Sequence, residues 1–395
     1  MKSPQRAAAF RHDGIVSGLA VRAEAESVHW EHEPTLCDYR KLVHVMADAK
    51  IPVPLCATPV AVTGVGVVVA TFDGRIRLLS THLEREYWQR RLASAIYAPL
   101  VVDHTRRHII AATTHGEVAS FDLRGNVAWL ARTDASYYAR PLVLPDADVV
   151  VLVSFGSRCL GLELATGAII FDRPLPRPWA DGLAQRAAYR DPYASPSATP
   201  DEVVILCCAE HVLALAPDGR LIWEQEIGHA VRSSPVVIDT TNELAVCAVD
   251  GRCRFLEVTT GKEIASVMLG GKVVASPAVS LGIVAVGCTT DIMIGIDAPT
   301  HTVRWRAKGA PRDHTSVAVL PNGDFVATTT PGNAVARRRD DGAFLWETSQ
   351  LLGLSEHDPA MDVTPIIAAD GAMYCGSYSG FLYRFGFRPA SRASS

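Results

Sequence analysis

The sequence predicts an all-β fold, an eight-bladed β-propeller whose blades are four-stranded antiparallel sheets. A short segment of the type Ser/Thr/Ala-x-Pro recurs eight times, and a new copy begins roughly every 40 residues, which is the period of a propeller blade. Glycine-containing turns separate short apolar runs inside each copy. The eight segments are 57–59, 97–99, 139–141, 194–196, 233–235, 275–277, 315–317 and 363–365.

Each copy contains the material for four strands. In the fifth copy the opening strand is followed by the runs 243–249 and 252–257, and the Thr260-Gly261 turn leads to a last strand. Comparable turns are Thr166-Gly167, Asp218-Gly219 and Asp341-Gly342. A single sheet of this kind leaves both faces uncovered, so we expect the sheets to stack side by side in a closed ring. The last strand of most copies contains an aromatic residue: Trp88, Trp129, Phe171, Trp223, Trp305 or Trp346.

The eighth copy supplies only three strands, and an N-terminal segment is expected to complete it. We predict that this strand is 27–31, because it contains Trp30 at the place of the usual aromatic residue. Pairing the two ends of the chain in one blade would remove two free sheet edges.

The domain organisation follows from this assignment. Residues 1–26 form an N-terminal tail, residues 27–387 form a single propeller, and residues 388–395 form a disordered C-terminal tail. Insertions are predicted at 34–56, 175–193 and 351–362, all on one face of the ring. In the first of them, the spacing of Leu42, Val45 and Met46 predicts a short amphipathic helix.

Composition limits the classes of partner. The chain has 395 residues, 48% hydrophobic residues and a formal charge of −4, which is typical of a globular protein without a nucleic-acid or anionic-membrane partner. No apolar run is long enough for a membrane span. The first residues lack the apolar stretch of a secretory signal, so we expect a cytoplasmic protein whose nine cysteines are reduced.

The repeat resembles that of the pyrroloquinoline quinone (PQQ) superfamily of propellers. The similarity covers residues from about 55 to 387 and rests on copies such as 159–167 and 293–297, in which a strand leads to an Asp/Glu-x-x-Thr-Gly type of turn. The segments 273–278 and 283–288 are most similar to the C-terminal propeller of aminoadipate-semialdehyde-dehydrogenase-like (beta-alanine-activating) enzymes. This resemblance implies a role in amino-acid activation or specialised metabolism.

A second branch of the superfamily, the quinoprotein alcohol dehydrogenases, uses a catalytic Asp, calcium-binding acids and often a vicinal disulfide over the quinone. The pair Cys207-Cys208 is the one feature similar to that set. It falls in the apolar run 203–210, and adjacent side chains of a strand point to opposite faces. We therefore expect no cofactor, neither PQQ nor calcium.

The residue before each recurring proline should lie at the mouth of the propeller axis. Seven of these residues are small and one is Arg140. Crowding around the axis explains small residues, while the hydroxyls of Ser234, Ser276 and Thr364 are also candidate ligand-binding groups. A guanidinium keeps its charge, so Arg140 either anchors an anionic ligand or pairs with an acid. The seven small residues are Thr58, Ala98, Ser195, Ser234, Ser276, Ser316 and Thr364.

The position two residues earlier gives a mixed set that should converge on the same entrance. His314 and Asp362 are a candidate acid/base pair, with Tyr138 as proton donor. Arg232 and Tyr193 are candidate ligand-binding residues beside Arg140. The alternative is a hydrated polar rim in which each group bonds to a neighbour or to water. The whole set is Cys56, Ile96, Tyr138, Tyr193, Arg232, Val274, His314 and Asp362.

No metal site is predicted. The acidic segment 356–362 has hard ligands but no glycine-defined loop, so its signal for a metal is weak. His104 and His108 fall in a predicted hairpin, where a spacing of four does not place them on one face.

Three functions remain open at this point. The first is a binding propeller that holds a small anionic or carrier-linked ligand or docks a carrier or activating protein. The second is a cofactor-independent biosynthetic enzyme with an acid/base site at the axial mouth. The third is a quinoprotein-type oxidoreductase. Propellers serve both binding and catalysis, so the fold alone does not choose among them.

Overall fold

Eight four-stranded antiparallel sheets make up the computed structural model, which describes residues 35–43, 52–177, 194–312, 315–355 and 360–387. In seven sheets the four strands follow one another in chain order. The eighth combines an N-terminal strand with the last three strands of the chain. The predicted eight-bladed propeller with N-terminal closure is therefore confirmed.

The strand bounds follow the repeat, and each blade runs from the innermost strand to the outermost. Blade 1 consists of β2 (Val60–Val62), β3 (Gly66–Ala70), β4 (Arg75–Ser80) and β5 (Glu86–Arg91). Blade 2 consists of β6 (Val101–Asp103), β7 (His108–Ala112), β8 (Glu117–Phe121) and β9 (Val127–Arg132). Blades 3 and 4 are β10 (Leu142–Leu144), β11 (Val149–Ser154), β12 (Arg158–Glu163), β13 (Ile169–Pro174), and β14 (Ser197–Ala198), β15 (Val204–Cys208), β16 (His211–Leu215), β17 (Leu221–Glu226).

The remaining blades have the same plan. Blades 5 and 6 are β18 (Val236–Ile238), β19 (Glu243–Cys247), β20 (Arg252–Glu257), β21 (Glu263–Met268), and β22 (Ala278–Ser280), β23 (Ile283–Cys288), β24 (Ile292–Asp297), β25 (Thr302–Lys308). Blade 7 consists of β26 (Ala318–Val319), β27 (Phe325–Thr328), β28 (Ala334–Arg337) and β29 (Phe344–Glu347). Blade 8 consists of β30 (Ile366–Ile367), β31 (Met373–Gly376), β32 (Phe381–Phe387) and the N-terminal strand β1 (Leu36–Val43). One short helix, α1 (Thr348–Leu352), follows β29.

The core lies between blades. Inner strands are buried on both faces, and β3, β8 and β19 are buried along their whole length. One cluster joins Phe255 of blade 5 to Val284 and Ile294 of blade 6, all fully buried. Outer strands face solvent, and in β9 the one buried residue is Trp129. This gradient explains why the inner runs are continuously apolar while the last strand of each copy is not.

The glycine turn and the aromatic residue of the repeat are parts of one contact between blades. The indole Nε1 of Trp129 donates a hydrogen bond to the carbonyl of Leu164 in the next blade, at 2.8 Å. Its ring covers the turn there so closely that a Cβ on Gly167 would lie 2.5 Å from the ring. Equivalent indole bonds join Trp88 to Leu123, Trp223 to Val258 and Trp305 to Arg339.

The closing strand differs in position from the sequence prediction. β1 pairs with β32 in antiparallel register over Leu36–Val43, whereas 27–31 lies outside the described residues. Tyr39–Val43 are therefore extended, and the helix predicted from Leu42 is wrong for these residues. Part of the predicted insertion 34–56 thus belongs to the propeller itself.

Two local predictions are confirmed. His104 lies in the turn between β6 and β7, and His108 begins β7. Cys207 and Cys208 lie in the regular strand β15, and their side chains pack into different clusters, one on each face of blade 4. Among the described residues, no helix has the length and apolar character needed to cross a membrane.

Candidate functional site

The residues before the recurring prolines form a chain of hydrogen bonds around the axis, which we call the hydroxyl ring. The amide of Arg140 donates to Ser195 Oγ at 3.0 Å. The amides of Ser195 and Ser234 donate in the same way to Ser234 Oγ and Ser276 Oγ, each at 3.0 Å. The amide of Ser316 donates to Thr364 Oγ1 at 2.8 Å. Each hydroxyl thus satisfies a buried backbone group of the neighbouring blade.

The ring is interrupted between blades 6 and 7. The amide of Ser276 donates to the carbonyl of Thr315 at 3.1 Å instead of to the Ser316 hydroxyl. Ser316 Oγ is fully buried and has no hydrogen-bond partner among the described residues. The hydroxyls of the ring are therefore explained by packing and backbone satisfaction at most of these positions.

The Arg140 side chain lies beside β6 of blade 2. Its Nε donates to the carbonyl of Leu100 at 3.4 Å, directly before β6. His104, directly after β6, has its pKa lowered by burial and by the charge of Arg140. The guanidinium therefore lies close to both ends of β6, the innermost strand of blade 2.

Above the ring lies a cavity of about 200 Å³, which we call the vestibule. Its wall consists of the loops that enter blades 1 to 6 and blade 8, together with one turn of blade 8. Thr58, Ser195 and Thr364 of the hydroxyl ring also line it. The other functional side chains of the wall are Cys56, Tyr97, Tyr138, Arg232, Asp362 and Tyr378.

One side of the vestibule is aromatic. Tyr138 stacks on Phe155 with ring centroids 4.2 Å apart, and Tyr97 packs against Tyr138 at 5.2 Å. Tyr97 and Tyr378 are hydrogen-bonded through their side chains. Because the rings come from blades 2, 3 and 8, they hold one another in place and present a rigid apolar surface.

Asp362 is already engaged by two partners. Its Oδ1 accepts from Arg312 at 2.6 Å, and its Oδ2 accepts from the amide of Tyr378 at 2.7 Å. The Arg312 guanidinium also donates to the carbonyl of Met361 at 3.3 Å. This carboxylate therefore ties the loop before blade 7 to a turn of blade 8.

Two titratable side chains next to Asp362, the Cys56 thiol and the Tyr378 phenol, are neutral near pH 7. Burial, reinforced by the charge of Asp362, raises the pKa of Cys56 to about 11. Burial, together with Tyr97 and Cys56, raises the pKa of Tyr378 above its ordinary value. A thiol with a raised pKa is a poor nucleophile, so Cys56 is not activated for attack on a ligand.

The predicted site residues divide into three groups. Tyr138, Arg232, Asp362 and Thr364 line the vestibule. Ser234, Ser276 and Arg140 do not line it, and the two hydroxyls accept amide hydrogens in the ring. Tyr193 and His314 lie outside the described residues, as do three members of the acidic segment, 356–358.

Three residues of the site were missed by sequence reasoning. Tyr97 takes the place expected for Ile96, which is fully buried, because the loop before blade 2 is shifted by one residue. Tyr378 lies in the turn between β31 and β32, and an aromatic residue in such a turn is a usable signal. Arg312 has no equivalent in the other copies, so nothing in the repeat indicated it.

The described lining of the vestibule contains a single acid, Asp362, and no cysteine pair, so it does not match the set of acids and vicinal cysteines of the dehydrogenase branch. Within the described ranges no group of three or more His, Cys, Asp or Glu side chains is arranged to hold a metal ion. Cys207 and Cys208 are buried in β15, form no disulfide, and do not line the vestibule.

Fold and site together define a repeat propeller with a small cavity at its axial mouth. The family described as outer membrane protein assembly factor BamB matches residues 13–205 and 209–392. The chain belongs to this PQQ-like propeller family. Folds of this kind typically serve protein interaction or act as scaffolds.

Solved structures show the same fold at low sequence identity. BamB from Moraxella catarrhalis has a TM-score of 0.70 and 15% identity, covering 90% of this chain and 100% of that chain. The computationally designed Ika8 protein has a TM-score of 0.65 and 13% identity, with coverage of 90% and 99%. The C-terminal WD40 domain of Sif2 has a TM-score of 0.66 and 10% identity, with coverage of 91% and 99%. No curated protein sequence matches the chain.

Proposed function

We propose that the protein is a binding propeller whose vestibule holds a small anionic ligand, free or attached to a carrier. The observation that supports this most directly is the composition of the wall, with tyrosines of three blades on one side and Arg232 of blade 5 on another. An aromatic wall favours a planar or apolar body, and a guanidinium favours a carboxylate or phosphate.

The size of the vestibule supports a small ligand. Its volume of about 200 Å³ lies below the range of about 300 to 1,000 Å³ that is typical of drug-sized ligands. A single ring with an anionic substituent, or the end group of a carrier arm, is of the matching size.

The state of the candidate acid favours binding over acid/base catalysis. Each oxygen of Asp362 accepts a hydrogen bond within the protein, from Arg312 and from the Tyr378 amide, at 2.6 and 2.7 Å, so the carboxylate links two loops. A general base must also lie within hydrogen-bond reach of the substrate proton. The acid/base alternative, which pairs Asp362 with His314, has no such support from the described residues.

A titration with 4-hydroxybenzoate, followed by calorimetry, tests the ligand class. We expect binding that weakens at least tenfold in Tyr138→Ala and in Arg232→Ala. Tyr87→Ala is the matched control, because Tyr87 is 44% exposed on the outer strand β5 and does not line the vestibule. Absence of binding to the wild-type protein, or equal loss in the control, would contradict the proposal.

We propose amino-acid activation as the setting of this function, supported by the similarity of the copies 273–278 and 283–288 to propellers of beta-alanine-activating enzymes. A carrier protein loaded with β-alanine should then bind more tightly than the unloaded carrier, and Tyr138→Ala should abolish the difference. Equal affinity of both carrier forms would exclude this setting while leaving the anionic-ligand proposal intact.

We also propose a cytoplasmic location, supported by the nine cysteines, none of which forms a disulfide and seven of which are buried. Unpaired thiols are typical of reducing compartments. Cell fractionation with alkylation of free thiols before lysis tests this, and recovery in the periplasmic fraction would overturn it.

A further inference from the structure

The outer surface at the junction of blades 1 and 2 contains a second candidate binding site, separate from the vestibule. Two adjoining troughs of about 510 and 520 Å³ share Ala93, Glu117 and Arg132. We call them together the blade 1–2 groove. It extends along β9 from Val127 at the rim to Thr133. At about 3.3 Å per strand residue this is on the order of 20 Å, the length of about six extended residues.

The groove exposes aliphatic side chains. Val127 and Leu130 on β9 are 55% and 42% exposed. Below them the groove is closed by Ala119 and Phe121 of β8, both buried. Val127 and Leu130 therefore form a small exposed apolar surface above a packed floor.

The charge around these side chains is positive. Arg90 and Arg91 line the groove from blade 1, and Arg132 lines it from blade 2. Arg91 is exposed, and its guanidinium has no ion-pair partner among the described residues. The one acid of the groove, Glu117, is 8% exposed and accepts from the amide of Ala93 at 2.6 Å and from Arg132 at 3.4 Å.

Other outer strands with exposed apolar residues contain acids instead. Ile222 lies on the same strand as Glu224 and Glu226, and Ile264 lies beside Glu263. The outer strands of blades 1, 3 and 7 likewise include Glu86, Asp172 and Glu347. Among the described outer strands with large exposed apolar residues, β9 is the one without an acid.

We propose that the blade 1–2 groove docks an extended acidic segment of a partner protein. Apolar side chains at alternate positions of that segment contact Val127 and Leu130, and the intervening carboxylates face Arg91 and Arg132. Alternation matches the side-chain period of an extended chain, and the charges match in sign. Affinity should fall with rising salt, because the guanidinium groups are exposed.

Fluorescence anisotropy with a labelled hexapeptide of alternating aspartate and leucine tests this. We expect binding to the wild-type protein, and at least tenfold weaker binding of a peptide in which lysine replaces aspartate. Arg91→Glu and Leu130→Asp should each weaken the acidic peptide at least tenfold. Both positions are exposed, so thermal unfolding should confirm an intact fold.

Ile264→Asp on β21 is the control, because Ile264 is 50% exposed on an outer strand that contains an acid. It should leave the affinity unchanged. The proposal is overturned if the acidic peptide does not bind, if both peptides bind equally, or if Ile264→Asp weakens binding as much as Leu130→Asp.

Discussion

Asp38 and Arg384, 346 residues apart in the chain, hold the two ends of the protein together. Both Asp38 oxygens accept from Arg384 Nη1 at 2.6 Å, across the β1–β32 pair that closes the ring. The Arg384 side chain is 4% exposed, whereas that of Asp38 is 38% exposed. Closure of the propeller thus places a buried cation under a carboxylate at its surface.

Asp38→Asn should destabilise the fold because it leaves the buried guanidinium without its main counter-charge. Loss of one partner of a buried pair costs about 3 kcal/mol or more, and the partial exposure of Asp38 lowers our expectation to about 2 kcal/mol. Urea denaturation measures this loss. The control is Glu84→Gln, which breaks the exposed Arg40–Glu84 pair and should cost less than about 1 kcal/mol.

The same pair should make stability depend on pH. Burial alone would raise the pKa of Asp38, but the hydrogen bonds and charge of Arg384 outweigh it and hold the pKa below 3.8. A lowered folded-state pKa gives stability that is present above the unfolded-state pKa and is lost as pH falls through the folded-state value. The difference in unfolding free energy between wild type and Asp38→Asn should therefore shrink below about pH 4. A constant difference from pH 7 to pH 3 would contradict this account.

The contact between Trp129 and Gly167 predicts a strong effect of a small substitution. Gly167 has φ of 73°, and a Cβ there would lie 2.5 Å from the Trp129 ring. Gly64 has a similar φ of 69° with no atom within 4 Å of such a Cβ. Gly64→Ala should cost about 1 kcal/mol from backbone strain alone, and Gly167→Ala should cost about 2 kcal/mol more from the clash. Equal losses of unfolding free energy in Gly64→Ala and Gly167→Ala would show that the Trp129 ring moves aside without destabilising the protein.

The repeat allowed the propeller to be predicted because one physical requirement is satisfied in the same way in successive blades. Trp129 covers Gly167 and Trp223 covers Gly261, so the turn and the aromatic residue recur together in the sequence. A regular ring of packed sheets leaves the same sequence marks in each copy.

The closing strand was misplaced because its own pattern is irregular. A bulge between Leu36 and Asp38 shifts the register of β1. As a result, Leu36 and Tyr39, three residues apart, pack on the same cluster, whereas Leu42 packs on the cluster of the other face. This spacing does not show the alternation of a strand, and β1 lacks the tryptophan that is present in five of the other outer strands.

The vestibule was predicted only in part, because some of its residues follow the repeat and others do not. Tyr138 and Asp362 occupy equivalent positions of the repeat, and their convergence follows from the ring. Arg312 and Tyr97 depend on the individual shapes of two loops between blades, which no period encodes.

The hydroxyl ring predicts opposite outcomes for two serines in equivalent positions. Ser234→Ala leaves the buried amide of Ser195 without an acceptor and should cost about 1 to 3 kcal/mol. Ser316→Ala removes a buried hydroxyl that has no partner among the described residues, so stability should be unchanged or slightly higher. Urea denaturation measures the unfolding free energy of both variants. An equal loss in both would show that the hydroxyls contribute through packing and not through the hydrogen bonds of the ring.

Thiol reactivity tests the burial of the cysteines and the environment of the vestibule together. Cys37 is exposed, Cys56 is half-buried with its pKa raised to about 11, and the other seven cysteines are buried. In Ellman titration at pH 8 we expect one thiol to react rapidly, and Cys37→Ser should remove that phase.

Cys56 should react slowly because little of it is thiolate, and its rate should rise steadily as pH approaches 11, since the thiolate is the reacting form. The remaining thiols should react only when the protein is unfolded in denaturant. Comparison with Cys56→Ser identifies the reaction of Cys56. Fast reaction of Cys56 at pH 8 would contradict the raised pKa of this thiol and its shielding beside Asp362.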